Sequence, residues 1–369
     1  MKVAVYLADQ NPHRDRTRGI TNLTHCLLIG LAQRPDVQLL PLVSASSYSF
    51  VSGNVQSVRL PWRTDNPLLR LLTDHGSGPA MNALRADVAF YPKGYVPCIL
   101  RPRCPVVGTV HDTILQFYAD HYPRYRSRLD MAYWLWFMKA SLRHLDMILT
   151  DSCVSRTQIL EFCARYRISP PPVRVTYAAS NFEDVPGAPA CKKDYVVHLC
   201  SQAPHKKTRR LMELWSQLVR ARTGWPDLCL VGSSGVAEEF LGPPGVFFRH
   251  CPDDQAMSQI LREARAVIVP SCIEGFGLPA LEGYFHGTPV CFVRNTSIDE
   301  IVSPFTAKGG FFLDDPDSFR MAIESVLAMS AAEVEQVREG LRARFSKQNF
   351  VNAVALALQD AARGTRGSV

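Results

Sequence analysis

Short apolar runs alternating with helix-length segments, in two series separated by a break, constrain most tightly what this chain can fold into. In the first series residues 2–8, 37–43, 88–91, 106–110, 146–150 and 173–177 read as strands or strand ends, each a brief apolar run bounded by turn residues. Residues 20–32, between the first two, place Leu23, Leu27 and Leu31 at helical spacing. Residues 181–193 then have linker composition, with Pro186, Gly187, Pro189 and Ala190. A second series follows, with strands at 195–199, 228–231, 266–269, 289–293 and 310–313 and helices at 209–220 and 258–264. Strands that alternate with helices form parallel, doubly wound sheets. The predicted class is α/β, with two such domains facing a cleft and ligands at the carboxyl ends of the strands. The predicted bounds are 1–185, 190–345 and a last segment, 346–369. In that segment Phe350, Val354, Leu358 and Ala361 share one helical face.

Length and composition agree. A chain of 369 residues can bury two sizeable α/β cores, and 47% hydrophobic with 20% charged residues suits a globular protein in water. The opening apolar run is too short for the core of a secretory leader and reads as a first strand, so a cytoplasmic location is expected. Residues 37–58 are uncharged but broken by Pro41 and Gly53, and do not read as a membrane span. Eleven cysteines show no C-x-x-C and no metal-type spacing, which fits unreactive thiols in a reducing compartment. No metal site and no cofactor are expected. The net charge of +7 calls for an anionic partner. An anionic substrate or an anionic membrane surface suits it better than nucleic acid, because no recognition motif or long basic run appears.

The most specific stretch is P-S-C-I-E-G-F-G-L-P-A-L-E-G, from Pro270 to Gly283. A strand ends at Pro270, Gly275-Phe276-Gly277 make a tight turn, and Pro279 suits the first turn of a helix starting near Leu278. Glu274 therefore lies in a strand-to-helix loop, and Glu282 lies about one turn into the helix. Two acceptor carboxylates then flank glycines that admit a ligand to the backbone and a helix N-terminus whose free N–H groups suit phosphate. One carboxylate can hold sugar hydroxyls and the other ribose hydroxyls, with a diphosphate between them.

With Gly287-Thr288-Pro289-Val290, this stretch resembles the signature of the retaining GT-B glycosyltransferases of glycosyltransferase family 4. The resemblance is best over residues 195–350 and looser before them. It implies that Glu274 contacts the donor sugar, that Glu282 contacts the nucleotide ribose, and that Gly275, Phe276, Gly277 and Leu278 line the donor. It also implies that the last helix crosses back onto the N-terminal domain. His111-Asp112 ends a predicted strand where many family members have His-Asp, so the resemblance gives His111 a hydrogen bond to the transferred sugar and Asp112 a place in orienting the loop. In Pro204-His205-Lys206-Lys207 the family has Pro-Arg-Lys-Asn, which assigns Lys206 to the diphosphate. His205 replaces the arginine, and its charge near neutral pH is open. Near Gly19 the family has Gly-Ile-Gly-Arg. Gly19 keeps a backbone contact, but Thr21 and Asn22 stand where the second glycine and the arginine would be, and Arg18 is a candidate substitute.

Residues 120–146 carry Arg124, Arg126, Arg128, Lys139 and Arg143 among Tyr122, Tyr125, Tyr133, Trp134, Trp136 and Phe137. Leu129, Ala132, Tyr133, Trp136, Phe137 and Ala140 form a core stripe in one reading, with an exposed basic side. In the other, Arg124, Arg126 and Arg128 face a membrane or a lipid-diphosphate acceptor. The resemblance as a whole implies a metal-independent hexosyltransferase, with catalytic Glu274, His111 and Lys206. It would use a nucleoside-diphosphate sugar, GDP-mannose favoured, and a glycan or lipid-linked saccharide acceptor in surface-polysaccharide assembly, such as that of lipopolysaccharide. A GT-B epimerase or phosphorylase and a non-catalytic nucleotide-sugar-binding subunit are the alternatives.

Overall fold

The computed structural model describes residues 1–10, 18–45, 55, 57–64, 66–185, 192–232, 240, 243–251 and 253–364. Two compact units emerge, Met1–Asn181 with the segment from Lys347, and Phe182–Ser346. Much of the proposed linker, residues 186–191, lies outside the described residues.

In the first unit β1 (Lys2–Tyr6), β2 (Gln38–Val43), β3 (Val58–Arg59), β4 (Val88–Tyr91), β5 (Val106–Thr109), β6 (Met147–Thr150) and β7 (Val173–Val175) make one parallel sheet. Its order is β3-β2-β1-β4-β5-β6-β7, with Val3 opposite Leu39 on one side and Val88 on the other. The central strands β4, β5 and β6 are buried throughout, and β1 is buried after Lys2. Helices on both faces of a parallel sheet demand such continuous apolar runs, which is why these strands were readable. The helices are α1 (Arg18–Ala32), α2 (Pro67–Gly76), α3 (Gly78–Ala83), α4 (Ile114–His121), α5 (Arg128–His144) and α6 (Cys153–Arg165).

The second unit has β8 (Tyr195–Leu199), β9 (Asp227–Val231), β10 (Val246–Arg249), β11 (Ala266–Val269), β12 (Val290–Val293) and β13 (Gly310–Phe311), parallel in the order β10-β9-β8-β11-β12-β13. Its helices are α7 (Thr208–Ala221), α8 (Asp254–Glu263), α9 (Leu278–Phe285), α10 (Ser297–Val302), α11 (Pro316–Leu327) and α12 (Ala331–Arg344). Trp215, Leu211, Ile268 and Phe319 are central to its core.

The last helix, α13 (Lys347–Gly364), belongs to the first unit. It buries Phe350, Val351, Val354 and Leu358. Gly30 of α1 leaves the space this needs, since a Cβ there would stand 2.3 Å from Val351 Cγ2. Polar ties run from Arg34 to Asn352 (2.6 Å), from Gln359 to Asp36 (2.7 Å) and from Arg174 to Asp360 (2.6 Å).

Helix α5 corrects the core stripe read from the sequence. Trp134, Phe137, Met138, Ser141 and Leu142 are buried, whereas Leu129, Ala132, Tyr133 and Trp136 are exposed. The inward face is set by polar tips that find partners inside. Trp134 Nε1–H donates to the Tyr95 hydroxyl (2.9 Å), and the Ser141 hydroxyl accepts from the Val96 N–H (3.1 Å). A hydrophobicity stripe counts neither bond. Among the described residues, no helix is long and apolar enough to cross a membrane.

Candidate active site

Strands β8 and β11 are neighbours, and between them the strand order of the second sheet reverses. The loops leaving their carboxyl ends lie at the strand-order switch point, the usual ligand position in doubly wound sheets. The loop after β8 contains a single 3₁₀ turn, Pro204–Lys206, and the loop after β11 carries Glu274 to Gly277. The Cys272 N–H donates to the His205 carbonyl at 2.9 Å, which ties the two loops together. The structure thus brings His205, Lys206, Glu274, Gly275, Phe276, Gly277 and Leu278 to one place.

The central polar contact is Lys206 Nζ to Glu274 Oε1, at 2.5 Å. Glu274 is buried, which raises its carboxyl pKa, but Lys206 leads the opposing effects and holds it below the usual carboxylate value. His205 is also buried. Burial, then the Lys206 charge, push it down to about 4. His205 is therefore neutral near pH 7, which settles the charge left open by the sequence: it does not replace the cation of an arginine. The Ser297 hydroxyl donates to the Glu274 carbonyl (3.0 Å) and fixes the loop from the α10 side.

Gly277 is required twice over. Its φ is +109°, and a Cβ would meet Ile298 Cγ1 at 2.4 Å. It opens α9 with no side-chain cap, as Lys207 opens α7, so both helices start from these two loops with their positive ends uncapped by side chains. Phe276 points inward, buried and edge-on to Phe345 at 5.5 Å, so its side chain packs the core. Glu282 is half-buried in the second turn of α9, and its carbonyl accepts from His286 Nδ1 (2.7 Å).

The remaining candidates lie in the first unit. His111 follows β5, with Nδ1 2.7 Å from Asp151 Oδ2 and Nε2 2.9 Å from the Pro92 carbonyl. Burial lowers its pKa, but the Asp151 charge and hydrogen bond, then Asp112 and Pro92, outweigh it and leave it above the usual 6.5. A protonated ring donating at both nitrogens fits these two acceptors, so a ligand would have to share or replace one bond. Asp112 accepts from the Ile114 N–H (2.9 Å) at the start of α4, which orders the loop. Asp151 was missed in the sequence, although it directly follows a strand, the same cue that marks His111. Gly19 lies in the first turn of α1 with open space around its Cβ position, while Thr21 is buried in the same helix. Thr17 and the Arg18 side chain lie outside the described residues. Arg124, Arg126 and Arg128 are all exposed, in the turn before α5 and at its first residue. Among the described residues no three His, Cys, Asp or Glu side chains are grouped as metal ligands, and the described cysteines are all free.

Residues 193–329 match the family described as glycosyl transferases group 1. O-antigen chain mannosyltransferase B of Escherichia coli is 26% identical over 253 residues, covering 63% of this chain and 64% of the relative. The chain thus aligns over just under two thirds of that relative's length. The solved sucrose-phosphate synthase of Thermosynechococcus elongatus superposes with a TM-score of 0.73 at 16% identity, covering 98% of each chain. HepE of Anabaena, solved with UDP and glucose, gives 0.68 at 14% identity, covering 98% of this chain and all of that one. The fold is GT-B, two Rossmann-like domains with parallel sheets.

Proposed function

We propose that this group 1 glycosyltransferase-domain protein is a retaining hexosyltransferase. It would move mannose, with GDP-mannose as the favoured donor, to a hydroxyl of a glycan or lipid-linked saccharide in O-antigen or related lipopolysaccharide assembly. The observation that carries this is the Lys206–Glu274 pair at the β8/β11 reversal, beside a helix N-terminus that no side chain caps. The donor diphosphate lies against Lys206 and the first N–H groups of α9, which stabilise charge developing on the leaving phosphate. Glu274 accepts from hydroxyls of the transferred sugar, and Glu282 accepts from the ribose. The departing phosphate, on the same face as the acceptor, helps to take its proton, so no separate base is needed. His111 is assigned a hydrogen bond to the sugar, and Gly19 a backbone contact.

The mannosyltransferase name of the E. coli relative supports the sugar and the pathway, and HepE solved with UDP and glucose supports a nucleotide-sugar donor. Lys206 and backbone amides stand in for a cation, so turnover is expected to survive EDTA. The work would be done at the cytoplasmic membrane face, with Arg124, Arg126 and Arg128 toward lipid or a lipid-linked acceptor.

The test is a thermal-shift and transfer panel of GDP-, UDP-, ADP- and dTDP-sugars, with the product's anomeric configuration read by NMR. GDP-mannose should stabilise most and give a retained α-linkage. Glu282→Ala should weaken GDP binding by about 1–3 kcal/mol through lost charged hydrogen bonds. An inverted product, or GDP binding to Glu282→Ala as tight as to the parent, overturns the mechanism or the ribose assignment respectively.

A further inference from the structure

Three apolar segments of the first unit reach the surface around one buried side chain, His75 at the end of α2. On α2, Leu68 and Leu72 are 72% and 69% exposed, two turns and one turn before it. On α5, Leu129, Tyr133 and Trp136 follow the i, i+4, i+7 spacing of one helix face, with Leu129 83% and Trp136 49% exposed. His75 joins the two helices, since its Nε2 lies 2.9 Å from the Tyr133 hydroxyl and its ring 5.3 Å from that of Trp136. The third segment meets it through Cys98, whose Sγ is 3.0 Å from His75 Nδ1, and the next residues, Ile99 and Leu100, are again exposed. An apolar ridge drawn from two helices and a loop is more than scattered surface leucines, and such patches mark interaction sites.

Charge identifies the occupant. Lys and Arg outnumber Asp and Glu by 24 to 13 in the first unit, but fall short by 17 to 21 in the second. Exposed Arg124, Arg126 and Arg128 run directly into Leu129, at the start of the α5 face. A second copy placed on the ridge would set one basic unit against another, whereas an anionic bilayer matches both the apolar ridge and its basic rim. We propose that this ridge docks the protein on an anionic lipid bilayer, with Leu68, Leu72, Leu129 and Trp136 entering the acyl boundary and the three arginines meeting headgroups. Leu72 also walls a pocket of about 390 Å³ with Leu60, Trp62, Leu69, Pro79 and Ala80, apolar enough to take part of a lipid chain. The inference rests on the proposed function only in that the acceptor is met at a membrane.

The test is co-sedimentation of the full chain with phosphatidylcholine vesicles, with and without phosphatidylglycerol, at rising salt. Wild type should bind the anionic vesicles and release as salt rises. Leu129→Ser and Trp136→Ser should each weaken partitioning about tenfold by losing apolar area buried in the bilayer, with GDP binding unchanged. A triple Arg124→Ser/Arg126→Ser/Arg128→Ser variant should lose the preference for phosphatidylglycerol. No vesicle binding by wild type, or serine variants that bind as well, overturns the proposal. So does a salt-resistant dimer on gel filtration that Leu129→Ser dissolves, which would assign the ridge to a second copy. Vesicle binding and GDP binding are read separately, so either this inference or the donor reading can fail alone.

Discussion

Replacing Lys206 by alanine isolates the electrostatics that hold the candidate site together. The ammonium stands 2.5 Å from Glu274 Oε1, and the carboxylate is buried. Neutral His205 cannot take over, since it is pushed down to about 4. Breaking a buried ion pair from one side costs about 3–5 kcal/mol because it strands a charge, and the lower end applies because the lysine still meets water. In a unit running from Phe182 to Ser346, about 3 kcal/mol corresponds to a fall in melting temperature of roughly 6–12 °C. The pH dependence gives the sharper check. In wild type the folded Glu274 pKa lies below the usual 4.5, so its stabilisation is present above 4.5 and is lost as pH falls through the depressed value. Without Lys206, its main opponent, burial should outweigh the smaller opposing effects of His205 and Ser271 and carry the folded pKa above 4.5. The stranded carboxylate then destabilises at neutral pH, and that cost disappears as acid protonates it. The gap between wild type and Lys206→Ala, followed by circular dichroism between about pH 8 and pH 4, should therefore narrow toward acid. Lys206→Ala/Glu274→Gln should recover most of the loss at neutral pH, since no charge is stranded. A gap independent of pH, or a double variant no more stable than Lys206→Ala, would refute the reasoning.

Gly277→Ala places a Cβ 2.4 Å from Ile298 Cγ1 at a φ of +109°, so urea unfolding should show a loss of at least about 2 kcal/mol from strain and overpacking. A change within about 0.5 kcal/mol, the range of neutral surface changes, would mean the loop relaxes freely. Asp151→Asn removes the main support for protonated His111. Because the folded His111 pKa lies above 6.5, its stabilisation is present below that value and is lost as pH rises through the raised one. The variant should therefore lose about 1.5–3 kcal/mol near pH 6 and less near pH 9, by chemical denaturation at both. An equal loss at the two pH values would sink that account.

How much was legible depended on where each side chain's partner lies. Strands β4, β8 and β11 were readable because a strand covered by helices on both faces must be largely apolar, and Val88–Tyr91, Ala266–Val269 and, but for His198, Tyr195–Leu199 satisfy that locally. Two of the edge strands, β3 and β10, escape this rule. The two exposed residues Val58–Arg59 and the half-buried Val246–Arg249 carry no such signature, and neither was foreseen. Glu274 was found because its glycines, proline and strand form one local pattern. The Lys206–Glu274 bond spans 68 residues and the His111–Asp151 bond 40, so both pairings are properties of the folded sheets. Helix α5 failed for the same reason in reverse. Trp134 and Ser141 turn inward because Tyr95 and Val96, distant in sequence, satisfy their polar atoms. The aromatic face assigned to the core was thereby left on the surface.

The departure at His205 shows how burial reshapes a motif's chemistry. A family-like arginine would bring a permanent charge to this loop, but buried His205 brings none near neutral pH. The one full positive charge nearest Glu274 is Lys206, and Glu274 already balances it. Beyond that pair, an anion is attracted by the charge of Lys207, felt as far as Cys272, and by the helix starts at Lys207 and Gly277, each equivalent to roughly half a positive charge when no side chain caps it. On the proposed reading, a diphosphate drawn there competes with Glu274 for Lys206. As the lysine turns toward phosphate, the carboxylate is released to accept hydrogen bonds from sugar hydroxyls. Donor binding and the freeing of Glu274 would then be one event, and a nucleoside diphosphate lacking the sugar would leave that carboxylate buried and unpaired. A complete sugar nucleotide should accordingly bind tighter than its nucleoside diphosphate in wild type, and Glu274→Gln should erase most of that difference. Calorimetric titration of GDP and GDP-mannose against both proteins measures it, and an unchanged difference in Glu274→Gln would separate the two events.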